Sequence, residues 1–215
     1  ILALTATATG DVIRDIQEKL LFSQPNVLRK SFERKNLTYY VFREEDKFRR
    51  IEKILNTIKG TGIIYVRNRK HTQEIAGFLT KKGFNATFYH AGLDPKDRVK
   101  RQNEWMAEKK LVMVSTNAFG MGIDKSNVRF VIHVDLPDSL EAYYQEAGRA
   151  GRDEKRSFAV LLFENSDIIN SRHNLSVSYP DLPKIKAIYQ ALGNYFQIPV
   201  GSARDSSFEF DIGQF

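Results

Sequence analysis

Between Leu37 and Phe163, short apolar runs alternate with amphipathic stretches, and that alternation leaves few folds open to the chain. Leu37 to Phe42 is rich in β-formers. Ile63-Ile64-Tyr65-Val66, Ala86 to Tyr89, Leu111 to Ser115, Phe130 to Val134 and Phe158 to Phe163 read as further strands. Between them, Glu45 to Ile58 puts Phe48, Ile51, Leu55 and Ile58 on a common helical face. His71 to Lys82 is a second helix, with Gly83 where a C-terminal cap belongs, followed by helices at Pro95 to Ala107 and Ser139 to Ala147. Apolar strands separated by amphipathic helices predict an α/β fold: a parallel sheet covered by helices on both faces. Ligands of such sheets gather beyond the carboxyl ends of the strands. The polar segments Arg67 to Lys70, His90-Ala91-Gly92, Thr116 to Asp124, and Gln145 onward are expected there.

The flanks read differently. Ile1 to Leu4 has strand character and begins as if cut from a longer chain. Thr9 or Asp11 can cap a helix reaching about Leu21, with Val12, Ile16, Leu20 and Leu21 on one side. Ser23-Gln24-Pro25-Asn26 reads as a linker. After Phe163, Ile185, Ile188, Tyr189, Leu192, Tyr195 and Phe196 follow helical spacing, and Phe208, Phe210 and Ile212 alternate as in a strand.

Composition narrows the partner. The 215 residues carry 33 Lys and Arg against 26 Asp and Glu, a formal charge of +7, so a polyanion is plausible. Positive charge concentrates at Arg29 to Lys35, Arg67 to Lys70, Lys96 to Arg101 and Arg152 to Arg156. There is no cysteine, which excludes disulfides and thiolate zinc. His71, His90, His133 and His173 lack metal-ligand spacing, so no metal site is expected. No apolar stretch approaches the roughly 18 residues that span a bilayer, and no charged leader is visible, so an intracellular protein without membrane contact is expected.

The run Gln145-Glu146-Ala147-Gly148-Arg149-Ala150-Gly151-Arg152-Asp153 carries the most chemistry. On a helix, Gln145, Arg149 and Arg152 fall at i, i+4 and i+7, so one face presents an amide and two guanidiniums. Such a face can meet a triphosphate, because the guanidinium is always charged and its planar fork matches phosphate oxygens. Gly148 and Gly151 cost a helix about 1 kcal/mol each relative to Ala, which suggests that another surface approaches closely.

Several blocks then coincide with a known family. Ala3-Leu4-Thr5-Ala6-Thr7-Ala8 resembles helicase motif III, and Ser31-Phe32-Glu33-Arg34-Lys35-Asn36-Leu37 resembles the start of the second motor lobe in RecQ-family DNA helicases. Gly62 to Arg69 is similar to motif IV, and Tyr89-His90-Ala91-Gly92-Leu93 to the block after it. Ser115-Thr116-Asn117-Ala118-Phe119-Gly120-Met121-Gly122-Ile123-Asp124-Lys125 resembles motif V, and the run from Gln145 resembles motif VI. The last two together are specific for RecQ-type enzymes. The resemblance covers roughly residues 1–163.

It implies the second RecA-like lobe of an ATP-driven, 3′-to-5′ DNA-unwinding motor. Arg152 would be the arginine finger, with Arg149 a second phosphate contact and Gln145 holding a phosphate oxygen or the attacking water. Asp124 would accept from a ribose hydroxyl, and Gly122 and Gly120 would let the backbone come close; the alternative for Asp124 is an ordinary turn aspartate. Arg67, Asn68, Arg69 and His90 would track single-stranded DNA, with Thr116 and Asn117 donating to a phosphate. A solvated loop is the alternative for the arginines, and a packing histidine for His90. Thr5 and Thr7 would relay nucleotide state to DNA grip. Trp105 and the helically spaced phenylalanines read as core.

The chain lacks a P-loop (G-x-x-x-x-G-K followed by Ser or Thr) and a DExH-type magnesium site, both of which the resemblance assigns to a first lobe. ATP with Mg²⁺ would therefore be bound mainly by that lobe, and single-stranded or partly duplex DNA would be the other partner. Three segments are expected: 1–22 as the tail of the first lobe, 23–163 as the RecA-like domain, and 164–215 as the start of a mostly helical accessory region. The four-cysteine zinc module of many relatives has no counterpart. Either the next domain begins near Tyr179 without zinc, or such a module lies beyond Phe215. Lys35 stands where relatives often have proline. Two other classes compete with the motor: a non-catalytic nucleic-acid-binding or annealing module, and a DEAD-box-type RNA helicase lobe. In the latter, motif VI usually begins His-Arg-x-Gly-Arg, which Gln145 to Arg149 does not match.

Overall fold

The computed structural model describes residues 2–5, 8–24, 26–28, 33–120, 122–199, 202, 207–209 and 211–213. Six strands, β1 (Leu37–Arg43), β2 (Thr61–Tyr65), β3 (Ala86–Tyr89), β4 (Val112–Ser115), β5 (Val128–His133) and β6 (Ser157–Phe163), form one sheet. Their order is β1-β6-β5-β2-β4-β3, and every pairing is parallel. The described helices are α1 (Gly10–Lys19), α2 (Lys47–Thr57), α3 (Arg69–Lys81), α4 (Pro95–Met106), α5 (Leu140–Ala147), α6 (Asn165–Ser178) and α7 (Leu182–Tyr195).

Strand alternation divides the core in two. On one face Ile64, Val66, Val114, Ile132 and Leu162 pack with Ile51 and Leu55 of α2 and with Ile75, Ala76 and Leu79 of α3. On the other, Ile63, Tyr65, Met113, Val131 and Ala159 pack with Trp105 of α4 and with Tyr143 and Ala147 of α5. Residues 61–66 of the central segment are buried throughout, as a strand covered on both sides must be. Trp105 is fully buried, and its indole N–H donates to the Gly62 carbonyl at 3.2 Å, so its one polar atom is satisfied. This is the parallel α/β sheet, covered by helices on both faces, that the alternation predicts.

Caps set the helix starts. Thr9, Asp46, Asn68, Asp94, Ser139 and Asp181 each accept a backbone N–H of the first turn through their side chains. Two expectations from the flanks change. Residues 2–5 form no strand, and Leu2 and Leu4 are more than four-fifths exposed. Residues 207–209 and 211–213 form no strand either, so the alternation of Phe208 and Ile212 does not mark one; Phe210 lies outside the described residues. A helix the alternation did not suggest, α6, follows β6 directly.

The chain divides into two compact units, residues 1–167 and 168–215. The boundary falls after residue 163 because Asp167 belongs with the sheet: Lys47 Nζ donates to its carboxylate at 2.6 Å, and the same carboxylate accepts from the Glu164 N–H at 2.8 Å. In the second unit, α7 is capped by Asp181 and has proline in its first turn, and Phe196 packs against Phe208 at 5.1 Å between ring centroids.

Candidate functional site

Helix α5 starts where the Ser139 hydroxyl accepts from the Ala142 N–H at 3.1 Å, and it stops at Ala147. Gln145 is therefore helical, but Arg149 and Arg152 are not, and the single helix face expected for the three residues does not form. Glycine is the reason. Gly148 serves as the C-cap, and Gly151 takes φ +65° so that its N–H can donate to the Val128 carbonyl at 2.8 Å. A methyl group at Gly151 would stand 2.6 Å from Asn36 Nδ2 and 2.7 Å from Ser157 Oγ, which is the close approach the two glycines signalled. The Asp153 N–H then donates to Ser126 at 3.2 Å, and the Arg129 guanidinium holds the Asp153 carboxyl below its usual range.

This loop lies near the amino end of β5, since Val128 opens that strand. The expectation that the Gln145 segment sits with the other polar segments at the carboxyl ends is thus corrected. A helix that follows one parallel strand must deliver the chain to the start of the next, so the end of α5 arrives at the opposite edge. Residues 116–127 make the same crossing, from the end of β4 to the start of β5, and they bring Gly120 and Asp124 to the loop.

Both arginines are tied to that segment. The Arg149 guanidinium donates to the Gly120 carbonyl, while its Nε is buried without a hydrogen-bond partner among the described residues. Gly120 has φ +140°, and a methyl group there would lie 2.4 Å from the guanidinium carbon of Arg149. Arg152 Nη1 donates to Asp124 Oδ1 at 2.7 Å and to the Ile123 carbonyl at 3.3 Å. The pair is open to solvent, with side chains 38% and 86% exposed, so it is worth little to stability and is easily exchanged for another anion. Gly122 takes φ +76°, with open space where a side chain would be.

Two residues outside the expected set hold this loop. Arg34 donates to the carbonyls of Gly148, Ala150 and Gly151, and Asn36 donates to those of Gly151 and Lys155. They lie more than 110 positions away in sequence. Their only signal was the Ser31 to Leu37 block itself.

The carboxyl edge carries a second polar region. Arg67, Asn68 and Arg69 are exposed after β2. Arg67 N–H donates to Asp135 at 2.8 Å, and its guanidinium pairs with Asp138. Asn68 caps α3 by accepting from the Lys70 N–H at 2.8 Å. Asn117 is exposed, whereas Thr116 is buried and its N–H donates to the Tyr89 carbonyl at 3.3 Å. His90 departs from the rest: it is 5% exposed, lies 3.3 Å from Gln73 Nε2, and stacks beside Phe88. Burial, then the charges of Arg69 and Arg101, lower its pKa. It is not open to solvent as Arg67 and Arg69 are, because Gln73 and Phe88 cover its ring. Thr5 lies in an exposed segment, and Thr7 lies outside the described residues.

A cavity of about 290 Å³ opens on this edge, lined by Arg67, Asn117, His133, Asp135, Asp138 and Glu146 among others. At its floor His133 Nε2 meets Glu146 Oε2 at 2.8 Å, and the ring stacks on Tyr65. The Tyr65 hydroxyl donates to the Phe119 carbonyl at 3.0 Å; burial raises its pKa, offset in part by Arg149 beside it. Burial likewise pushes the Tyr143 phenol up to about 12. Among the described residues no cluster of three His, Cys, Asp or Glu is placed to hold a metal, and no helix is long and apolar enough to cross a membrane.

A family model for the helicase conserved C-terminal domain matches residues 46–154, which spans β2 to β5 and the arginine loop. The chain is 42% identical over 202 residues to the ATP-dependent DNA helicase RecQ of Pasteurella multocida and 44% identical over 173 residues to that of Bacillus subtilis. This chain belongs to the RecQ family as its helicase C-terminal domain. The RecQ-type domain is also 43% identical over 174 residues to ATP-dependent DNA helicase Q1 of Mus musculus. These matches cover 91%, 80% and 78% of the chain but only 31%, 29% and 27% of the relatives, so it spans about a third of their length. Among solved structures, a variant of S. cerevisiae Dbp5 bound to Gle1 and IP6 superposes with TM-score 0.61 at 20% identity, over 87% of this chain and 52% of that one. The C-terminal domain of the DEAD-box protein Dbp5 gives TM-score 0.53 at 23% identity, over 69% and 86%. At those identities the likeness concerns the fold of the RecQ-type domain alone.

Proposed function

We propose that this domain is the second motor lobe of an ATP-dependent DNA helicase that moves 3′ to 5′, and that it supplies the arginine finger to a hydrolysis site completed by a first lobe. The observation that carries the reading is the state of Arg152. It projects from a braced loop toward solvent, where its one ionic partner among the described residues is an exposed carboxylate, Asp124, beside a longer bond to the Ile123 carbonyl. A triphosphate is a stronger acceptor for the same guanidinium. Arg152 then meets the charge that develops on the γ-phosphate, Arg149 adds a second contact, and Gln145 orients an oxygen or water. Asp124, released from Arg152, is free to accept from the ribose, and Gly122 admits the backbone. Mg²⁺ would neutralise phosphate charge on the first lobe; this domain's described residues offer no ligand cluster for it.

The DNA track is assigned to the carboxyl edge. Arg67, Asn68, Arg69 and Asn117 are exposed there, and Thr116 sits beneath them with its backbone engaged. His90 supports this surface from below. Thr5 and Thr7 are assigned to coupling on the motif resemblance alone. The domain by itself should neither hydrolyse ATP nor unwind DNA, because the phosphate-gripping residues belong to the other lobe. In the complete helicase, Arg152→Ala should lower ATP turnover by about 10³-fold or more while nucleotide affinity stays nearly unchanged. Steady-state ATPase measurements beside a fluorescent-nucleotide titration test this; near-normal turnover would defeat it. A protein that binds and anneals DNA but turns over no ATP even as wild type would instead support the non-catalytic module.

A further inference from the structure

The loop that carries Arg149 and Arg152 is braced by one cation. Arg34 donates to the Gly148 carbonyl at 3.3 Å, to Ala150 at 3.1 Å and to Gly151 at 2.5 Å. These are carbonyls left without helical partners where α5 ends, and they bracket the peptide units of Arg149 and Arg152. A guanidinium has five donors in a rigid fork, which lets one side chain hold three diverging carbonyls, and its charge also meets the negative end of the helix. Asn36 bonds the same Gly151 carbonyl at 2.7 Å and the Lys155 carbonyl at 3.0 Å. Its own carbonyl accepts from the Ser157 N–H at 2.8 Å, so the brace is fixed in register with β6. The guanidinium of Arg34 is spent on backbone oxygens.

We propose that Arg34 is a positioning residue: it sets the backbone from which Arg149 and Arg152 project, and thereby the rate of ATP hydrolysis, without contributing to nucleotide binding. The inference rests on the arginine-finger reading. Misplacement of a reacting group by about 1 Å can cost on the order of 100-fold in rate, so a loop that loses this brace at Gly148 and Ala150, with Gly151 still held by Asn36, should lose turnover before it loses affinity.

The test uses the complete helicase with Arg34→Ala, Arg34→Lys, Arg152→Ala and the double variant Arg34→Ala/Arg152→Ala. Steady-state ATPase and amide hydrogen exchange of residues 148–153 are measured. Arg34→Ala should lower kcat about 10- to 100-fold with the KM for ATP within about twofold, and should speed exchange in that loop and not elsewhere. Arg34→Lys should recover part of kcat, and the double variant should be no slower than Arg152→Ala alone, because both changes act on one interaction. A normal kcat for Arg34→Ala would overturn the proposal. So would a raised KM at unchanged kcat, which would make Arg34 a nucleotide contact, or losses that multiply in the double variant. Normal turnover in Arg152→Ala defeats the finger reading; normal turnover in Arg34→Ala with Arg152→Ala inactive defeats only the positioning role.

Discussion

Arg149 is confined by a residue that has no side chain. Gly120 combines φ +140° with a guanidinium where a Cβ would be. Gly120→Ala adds backbone strain of about 1–3 kcal/mol and pushes Arg149 aside. We expect a lowered urea midpoint and a loss of ATP turnover in the complete helicase; wild-type values of both would contradict the placement of Arg149. His90 gives a second test at this scale. Its folded pKa lies below the unfolded value of about 6.5, so the unfolded chain binds the extra proton first. Its effect is absent well above pH 6.5, and stability falls as pH drops below that value toward the folded pKa. Urea midpoints between pH 7.5 and 5.5 should fall in the wild type and fall less in His90→Gln; equal slopes would show that burial does not hold the ring neutral. The sequence signalled Gly151 and both arginines through glycine beside arginine, a local pattern, and Gly120 through the Ser115 to Lys125 block. It left the burial of His90 open as one of two readings, because the outcome depends on Gln73 of α3 as well as on Phe88 of β3.

Helices and strands follow the same rule. Strand β3 and helix α4 are legible almost to the residue, because Asp94-Pro95 marks the start of α4 and the apolar run 86–89 is isolated between turns. Helix α6 is not, since Ile168, Ile169, Leu175 and Val177 fall on no common face and none of its residues is buried. The strand read from Phe208 to Ile212 fails for the complementary reason: alternation predicts a strand only where a partner strand pairs with it. Capping separates two roles for Asn68. It caps α3 while standing on the proposed DNA face. Asn68→Asp keeps the cap but adds a negative charge facing phosphate, whereas Asn68→Ala loses the cap, at about 1 kcal/mol. Asn68→Asp should retain the thermal midpoint and weaken single-stranded DNA binding several-fold by anisotropy; unchanged affinity would leave Asn68 a cap and nothing more.

For the molecule as a whole, parallel topology decides where chemistry can occur. The residues after β2 and β4 gather at one edge of the sheet, and the end of α5 returns to the other. The domain therefore presents two polar surfaces, which we propose for a nucleic-acid backbone and for a nucleotide respectively. The motifs named the residues of each but not this separation, which follows from strand order. Nor did they name the long-range brace of Arg34 and Asn36. Between the surfaces run Glu146, His133, Tyr65 and Arg149, each beside the next. The central claim is that Arg152 and Arg149 complete a hydrolysis pocket whose other wall lies elsewhere in the protein. It is tested most directly by a structure of the complete helicase with a transition-state analogue of ATP. We predict that Arg152 leaves Asp124 and that both guanidiniums lie within hydrogen-bond distance of the terminal phosphate. An intact Arg152–Asp124 pair, with both side chains turned away from the phosphate, would contradict the account.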